Sequence, residues 1–340
     1  MNLYVHFPFC RRKCTYCALL SRAGASESER SAYVDKVAAR LRAALSGEER
    51  LDTVYFGGGS PALCDLKPLF GIIAPRLAAD AEFTVELHPL DVSPGLLDTL
   101  KAGGVNRISM GVQSLEDSVL AAMNRRYTAK EAFEAFRMAK SRFGNAGIDL
   151  IAGFPGAKSD FSRLADWGLV HCSVYSLILE DGTLLKKQVA GGKAKLPGDD
   201  ETMDEIRQAE SALAGLGLAR YEISNYAIPG RECRHNMATW CGEDYTGIGE
   251  GACGRIGLKR TCGGRGLAEE AETVSPERDR LERTIFRLRT YKGLDASGYP
   301  EWQGRLDGFV REGLLEGSFP VYRLTARGRE VCDSILSELV

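Results

Sequence analysis

Three cysteines near the start of the chain have a spacing that suits a metal cofactor. Cys10, Cys14 and Cys17 lie in the segment HFPFCRRKCTYC and form the pattern C-x3-C-x2-C. Protein thiolates are the usual ligands of iron–sulfur clusters, and a cluster of four irons normally takes four of them. Three thiolates would therefore leave one iron open to another ligand, and that iron is where chemistry could take place.

Two other interpretations of these cysteines stay open on spacing alone. Cys14 and Cys17 form C-x2-C, which is typical of dithiol redox pairs, although this interpretation leaves Cys10 unused. A structural zinc ion with His6 as its fourth ligand is the second alternative. Zinc sites usually carry two pairs of ligands, however, and no second pair follows at a suitable spacing.

The residues around the cysteines resemble the signature of the radical S-adenosylmethionine (SAM) superfamily. The segment YVHFPF (residues 4–9) precedes the first cysteine, and the aromatic Tyr16 precedes the last. The similarity is closest to the branch that holds the oxygen-independent coproporphyrinogen III oxidases and the heme chaperone HemW. The resemblance implies a [4Fe-4S] cluster on the three cysteines, with SAM on its open iron and a 5′-deoxyadenosyl radical released when SAM is cleaved reductively.

Composition and charge indicate a globular protein with a sizeable core. The 340 residues are 44% hydrophobic, and the formal net charge of -2 gives no electrostatic reason to expect a nucleic-acid partner. The ten cysteines, some of which must be free thiolates for a cluster, favour a reducing cytoplasm. Neither a signal peptide nor an apolar run approaching about 20 residues is evident, so the sequence predicts a soluble cytoplasmic protein.

Hydrophobic periodicity predicts an alternation of strands and helices over the first half of the chain. The predicted strands are residues 3–8, 51–56, 82–87, 107–112, 148–152 and 173–179. The predicted helices between them are residues 27–45, 66–78, 94–102, 116–124 with 129–143, and 160–167. Alternation of this kind implies a parallel sheet, and six units suggest a complete or partial barrel. The predicted fold class is therefore α/β, and the resemblance specifies a partial (β/α)6 barrel.

A glycine-rich segment follows the second predicted strand, at the end of a barrel where functional groups gather. Gly57, Gly58 and Gly59 precede Ser60 and Pro61, and three glycines exceed what a plain turn requires. The segment resembles the GGGTP motif that binds the amino group of SAM, with serine in place of threonine. An ordinary strand-to-helix turn, with Ser60 as the N-cap and Pro61 at the first helical position, stays open as an alternative.

Several further polar residues lie at or near the ends of predicted strands. Taken singly, such residues are more often solvated or capping groups than ligands. The resemblance implies contacts with SAM, including its ribose and carboxylate, from Tyr4, Tyr16, Glu86, Gln113, Arg125 and Asp149. His88 occupies a position where relatives commonly have asparagine, and we assign it no role from the sequence.

Beyond the barrel the pattern is looser. Residues 182–200 are polar and glycine-rich and predict a crossing loop, and residues 201–216 predict an amphipathic helix. We predict a barrel at 1–180, a family-specific extension at 181–275 and a small, mainly helical C-terminal domain of winged-helix character at 276–340. A winged helix alone suggests DNA, but the absence of a basic excess favours a lid or docking module.

Two departures from the oxidases favour the chaperone branch. The oxidases carry an N-terminal extension before the cluster strand, and they carry a further cysteine two residues after the third ligand, where this chain has Leu19. The chaperone motif HNxxYW appears here as HNMATW (residues 235–240), with Thr239 in place of tyrosine. Because a neutral imidazole is a common axial ligand of heme, His235 is the candidate heme ligand. A satisfied interior histidine is the alternative.

Four cysteines beyond the barrel fit no zinc spacing: Cys233, Cys241, Cys253 and Cys262. Lone buried cysteines usually behave as small hydrophobes. Among them Cys253 ends a segment, residues 247–253, that resembles one near a second SAM in some relatives. The sequence therefore predicts a heme chaperone that binds a [4Fe-4S] cluster, SAM and heme and delivers heme to acceptor proteins such as respiratory enzymes. The alternative is a radical SAM enzyme acting on a porphyrin or another substrate. Peripheral membrane contact and a homodimer stay open.

Overall fold

The computed structural model describes residues 1–47, 49–267 and 269–339 of the chain. The strands are β1 (Asn2–Phe7), β2 (Phe9–Cys10), β3 (Arg22–Ala23), β4 (Leu51–Gly58), β5 (Leu77–Leu87), β6 (Arg107–Gln113), β7 (Asn145–Ala152), β8 (His171–Ser176), β9 (Ala219–Arg220), β10 (Asn225–Ala227), β11 (Tyr245–Ile248), β12 (Cys253–Ile256), β13 (Lys259–Gly263), β14 (Glu269–Thr273), β15 (Leu294–Asp295), β16 (Leu315–Ser318) and β17 (Val321–Leu324). The helices are α1 (Glu27–Ala44), α2 (Lys67–Ile73), α3 (Pro94–Ala102), α4 (Asp117–Ala122), α5 (Ala129–Lys140), α6 (Leu184–Ala190), α7 (Asp199–Gly215), α8 (Arg234–Trp240), α9 (Pro276–Arg287), α10 (Gln303–Arg311), α11 (Ala326–Glu330) and α12 (Cys332–Leu339).

The main sheet of the described chain has the strand order β14-β13-β12-β11-β1-β4-β5-β6-β7-β8-β10-β9. The six strands from β1 to β8 in this order pair in parallel, as does β11 with β1. Antiparallel strands extend both edges, and the two edges do not pair with each other. The predicted α/β class with six parallel strands is confirmed.

The parallel strands alternate apolar and polar residues, and the two sets face different layers. In β1, Leu3, Val5 and Phe7 are fully buried in the main hydrophobic core together with residues of α1. The alternate residues of the strands carry hydrogen-bonding groups that meet one another inside the barrel. For example, Ser109 on β6 donates to Asp149 on β7. The apolar set therefore holds the helices, and the polar set lines the interior.

A short parallel pair, β2 with β3, closes the base of the cysteine loop. Cys10 lies opposite Ala23 in this pair, and the Arg22 amide donates to the Pro8 carbonyl at 2.7 Å. The loop between the two strands is thus fixed at both ends, directly after β1.

Two predicted elements differ in the structure. The helix expected at 160–167 is a 3-10 helix, Phe161–Trp167. The prediction of a crossing loop at 182–200 was wrong over Leu184–Ala190, where the chain forms α6. Thr183 caps this helix by accepting a hydrogen bond from the Lys186 amide at 3.2 Å, and Leu185 is buried in a small cluster against α4. A local cap and one buried apolar residue thus stabilise a helix that the polar composition obscured.

The C-terminal residues form a second hydrophobic core, which includes residues of α9, α10 and α12. They also contain a three-stranded antiparallel sheet of order β15-β17-β16, so this part of the chain mixes helices with strands. Strands β9 to β14 of the intervening segment extend the barrel sheet. The division of the chain at residues 180 and 275 stays a prediction. Over the described ranges, we find no helix with the length and apolar character needed to cross a membrane.

Candidate functional site

A cavity of about 850 Å³ opens where the parallel strands end, and the cysteine loop forms part of its wall. This volume lies in the upper part of the range for small-molecule and cofactor sites. Most of the residues singled out in the sequence line it: Cys10, Cys14, Cys17, Tyr16, Gly58, Gly59, Ser60, Glu86, Gln113, Arg125 and Asp149. The structure thus brings these residues together, and their individual roles as ligands stay predictions.

The cysteine loop is fastened to the segment that follows α4. The Thr15 amide donates to the Met123 carbonyl at 3.2 Å, and the Asn124 side-chain amide donates to the Lys13 carbonyl at 2.9 Å. All three cysteines are free thiols and partly exposed. Three thiols on one fixed loop of an open cavity suit a preformed iron–sulfur cluster, because each thiolate can bind a different iron of the cluster.

A single zinc ion suits the site less well. His6, its proposed fourth ligand, uses both ring nitrogens, at 3.0 Å from the Tyr4 hydroxyl and 3.1 Å from the Leu20 carbonyl. Among the described residues, no group of three histidine, cysteine or acidic side chains is arranged to hold one metal ion. The donor set therefore favours a cluster over zinc.

The glycine-rich segment passes very close to β1 and β2, the strands that lead into the cysteine loop. Gly58 has a φ of +104°, and a Cβ there would lie 2.5 Å from the His6 ring. The Gly59 amide donates to the Phe7 carbonyl at 2.7 Å, and the Ser60 amide donates to Phe9 at 2.6 Å. The Ser60 hydroxyl makes no capping bond and donates to Asp91 instead. The glycines therefore serve a close approach of two backbones, beyond the needs of a turn.

Two carboxyl groups lie inside the cavity at the ends of β5 and β7. Glu86 accepts hydrogen bonds from the Tyr55 hydroxyl at 2.9 Å and from the Gly58 amide at 3.1 Å. Asp149 accepts from Ser109 at 3.0 Å and from Ser173 at 2.6 Å. Burial raises the pKa of Asp149, and burial together with the nearby Asp149 raises the pKa of Glu86 to about 7. Both groups can accept hydrogen bonds from hydroxyls of a ligand.

Arg125 supplies a positive charge that no carboxylate of the described chain pairs with. One terminal nitrogen donates to the Tyr16 hydroxyl at 3.0 Å, and the other lies 3.5 Å from the Gly111 carbonyl. Its Nε is buried and has no partner. A cation enclosed in this way is costly unless an anion joins it, so the position suits a carboxylate of a ligand. Gln113 has a φ of +71°, a strained backbone of the kind often found at ligand sites.

Tyr4 and His235 do not line this cavity. Tyr4 is enclosed on β1 and donates to His6 Nδ1, because the other His6 nitrogen must donate to the Leu20 carbonyl. Tyr4 therefore supports the end of the cysteine loop through His6.

His235 lies on α8, only 6% exposed, beside the first half of β4, and its ring is 5.3 Å from that of Tyr55, which lines the cavity. Its Nδ1 is 2.8 Å from the Thr53 hydroxyl, and its backbone amide donates to Glu82 at 3.1 Å. Burial and the charge of Arg107 lower the pKa of His235 to about 4. This placement favours the interior-histidine alternative over a heme ligand.

Sequence reasoning missed the part that His88 and an apolar set play in the cavity. His88 lines the wall, and its Nδ1 accepts a hydrogen bond from the Leu90 amide at 3.2 Å. It thereby caps a 3-10 helix, Pro89–Asp91, as an asparagine oxygen would. Four exposed apolar residues, Leu19, Leu90, Tyr175 and Ile178, also line the cavity. Apolar residues at the ends of strands and in the loops after them were the available signal.

The expectation of lone, buried cysteines was wrong for Cys253 and Cys262. Both are exposed, lie opposite each other on β12 and β13, and form a disulfide bond. The register of the hairpin, which spacing does not reveal, brings them together. The segment 247–253 does not line the described cavity, and its glycines Gly249 and Gly251 pack beside His6 instead.

Comparison with known proteins gives a consistent set of relatives. The profile of the radical SAM superfamily matches residues 4–167. The chain is 31% identical to the heme chaperone HemW of Bacillus subtilis (strain 168), with 99% of this chain and 100% of that protein covered. It is 35% identical to the heme chaperone HemW of Lactococcus lactis, with 75% of this chain and 69% of that protein covered. The structure of coproporphyrinogen III oxidase (HemN) from Escherichia coli shares the fold, with a TM-score of 0.82 and 22% identity over 99% of this chain and 89% of that one.

Proposed function

The chain belongs to the radical SAM superfamily and, within it, to the HemW family, and we propose from this premise that it is a heme chaperone that holds a [4Fe-4S] cluster and SAM. Membership of the superfamily implies both cofactors, whereas heme comes from the names of the relatives. The observation that carries the proposal is the convergence of three free thiols, a glycine-rich segment and an unpaired arginine at one cavity.

In this proposal, Cys10, Cys14 and Cys17 hold the cluster. When bound, the cluster supplies an open iron for SAM and an electron for its reductive cleavage. The fixed loop that carries the three thiols keeps them on one side of the cavity. Polar residues at the ends of the parallel strands, which line the same cavity, would orient SAM.

The polar wall divides the recognition of SAM among groups of different charge. We assign Arg125 to the SAM carboxylate, because it lines the cavity, its Nε is buried, and no carboxylate of the described chain pairs with it. Gly58, Gly59 and Ser60 would hold the amino group of SAM. A side chain at Gly58 would collide with β1, and one at Gly59 with β1 and β2. Glu86, Asp149, Gln113 and Tyr16 complete the pocket. Burial of these groups excludes water and strengthens each contact.

Heme is the proposed cargo, and acceptor proteins such as respiratory enzymes are its proposed recipients. Four exposed apolar residues in the wall of a wide cavity provide surface for an apolar ligand besides SAM. We propose a cytoplasmic location, because the three cysteines of the cavity are free thiols, as a cluster requires. Transient contact with a membrane surface or with a second copy of the chain would be compatible with delivery.

An anaerobic hemin titration of the cluster-reconstituted protein tests the proposal. Difference absorbance should show saturable binding of one hemin per chain, with a spectrum distinct from free hemin. The same titration without reconstitution separates heme binding from cluster binding. Absorbance changes that rise without saturation would overturn the chaperone proposal.

A radical SAM enzyme acting on a porphyrin is the second candidate function. The observation that favours it is that the residues predicted to contact SAM, except Tyr4, line one open cavity. Its test is quantitation of 5′-deoxyadenosine after reduction of the reconstituted protein, with and without coproporphyrinogen III. Formation that depends on the added porphyrinogen would favour the enzyme. Formation that is slow and indifferent to it would favour the chaperone.

A further inference from the structure

We infer that heme is held at the mouth of the main cavity, against an apolar wall formed by Leu19, Leu90, Tyr175 and Ile178, with its carboxylates on Arg126 and Arg12. This inference rests on the proposed function and places the cargo at the strand ends, away from His235. It assigns a binding surface to residues that the SAM site does not use.

The apolar wall is unusual because its members are large and exposed. Leu19 is 52% exposed, Leu90 42%, Tyr175 41% and Ile178 69%. They come from three separate segments: the cysteine loop, the turn after β5 and the end of β8 with the loop after it. Exposed apolar side chains that converge from distant segments on one cavity typically mark a binding site. Leu19 also occupies the position where the oxidases carry their additional cysteine.

Two arginines at the same cavity have charges that the protein leaves uncompensated. Arg12 and Arg126 are exposed and line the cavity, and neither makes a hydrogen bond or ion pair with any described residue. Arg11, by contrast, pairs with Asp91. A guanidinium presents a planar set of donors that suits a carboxylate. Heme is a flat, apolar macrocycle with two carboxylates on one edge, so it complements an apolar wall flanked by free arginines.

The histidines support the same placement. All four are described, and His88 alone among them lines the cavity. Because His88 Nδ1 accepts the Leu90 amide proton, its neutral ring carries its own proton on Nε2, and Nδ1 is not free to coordinate iron. His6, His171 and His235 make hydrogen bonds within the protein. Heme in this position is therefore held by apolar contact and by its carboxylates, without coordination by His235.

Hemin titration of the reconstituted full chain with matched variants tests the placement. Ile178→Glu puts a carboxylate on the apolar wall, and Arg126→Glu reverses the charge outside the cysteine loop. Each should weaken hemin binding roughly tenfold or more, because an apolar contact or a charge-assisted bond is lost and repulsion is added. Ile256→Glu and Arg305→Glu change exposed residues outside this cavity and should bind hemin as the wild type does. Iron and sulfide content per chain should stay unchanged in all four variants.

Two further measurements sharpen the result. Hemin dimethyl ester lacks the carboxylates, so Arg126→Glu should no longer affect its binding, whereas Ile178→Glu still should. His235→Ala should keep the wild-type hemin affinity. Cavity variants that bind as the wild type does, or loss of binding in His235→Ala alone, would overturn the placement while heme binding itself stands. A wild type that binds no hemin would overturn both this inference and the proposed function.

Discussion

Arg125→Met is the most informative single change. It measures separately how the unpaired charge affects the stability of the protein without SAM and how it contributes to SAM binding. In the structure the guanidinium makes one good hydrogen bond, to Tyr16 at 3.0 Å, and a marginal contact with Gly111 at 3.5 Å. Its Nε is buried without a partner. Methionine has a similar length and no charge, so it removes the cation while it retains most of the packing.

The expected effects have opposite directions in the empty and the SAM-bound protein. A charge-assisted hydrogen bond to a carboxylate contributes about 1.5–3 kcal/mol, so loss of Arg125 should weaken SAM binding roughly tenfold to a hundredfold. Without SAM, removal of an enclosed cation that has no anion should leave the free energy of unfolding unchanged or raise it by about 1 kcal/mol.

Isothermal titration of SAM into reconstituted protein measures the first effect, and urea unfolding of the protein without SAM measures the second. Arg126→Met is the matched control, since its guanidinium is exposed and has no partner within the described chain, and it should leave SAM affinity unchanged. If Arg125→Met unfolds far more easily than the wild type, the arginine is a structural residue. If its SAM affinity is unchanged, the assignment to the carboxylate is incorrect.

Four further outcomes are expected. The pKa of Glu86 is raised to about 7 from 4.5, so the folded state binds more protons than the unfolded state between these values. The free energy of unfolding should therefore fall by up to about 3 kcal/mol as pH rises from 4.5 through 7. Urea unfolding at pH 5 and pH 8 should show this fall in the wild type and little of it in Glu86→Gln. Gly58→Ala, at φ +104° and 2.5 Å from the His6 ring, should cost about 2 kcal/mol or more by thermal unfolding, whereas Gly71→Ala, in open space on α2, should be neutral or stabilising. His235→Ala should lower stability by about 2 kcal/mol, because it leaves the Thr53 hydroxyl with one partner fewer and opens a cavity; unchanged stability would contradict its interior role. Peptide mapping without reductant should recover Cys253 linked to Cys262, and Cys253→Ser should keep the iron content of the wild type, since the pair does not line the described cavity.

The sequence was sufficient for the fold and for most of the site because both follow local rules. Period-two alternation marks strands, and parallel strands place their C-terminal ends at one edge, so Glu86, Gln113 and Asp149 had to meet there. The cysteine loop and the glycine-rich segment each follow a strand directly. Their proximity therefore needed no long-range information.

The remaining features depend on contacts between distant segments. His235 is positioned by the packing of α8 beside β4, and the pairing of Cys253 with Cys262 by the register of a hairpin. Tyr4 does not line the cavity, because its hydroxyl is bonded to the His6 ring instead. The apolar wall comes from three segments that carry no common pattern. None of these contacts can be predicted from the residue spacing within one segment of the sequence.

The position of β1 within the sheet has a consequence for the order of events during synthesis. The strand that leads into the cysteine loop pairs on one edge with β4 but on the other with β11, whose Tyr245 lies opposite Asn2. Until residues 245–248 have left the ribosome, that edge of β1 has no native partner. The Glu250 amide, which donates to the Tyr33 hydroxyl, and the Glu250 carboxylate, which pairs with Arg22 beside the loop, arrive only afterwards. In a nascent chain the three cysteines thus leave the ribosome early, whereas the residues that pack around their loop leave it late. We therefore expect cluster insertion to follow the synthesis of most of the chain.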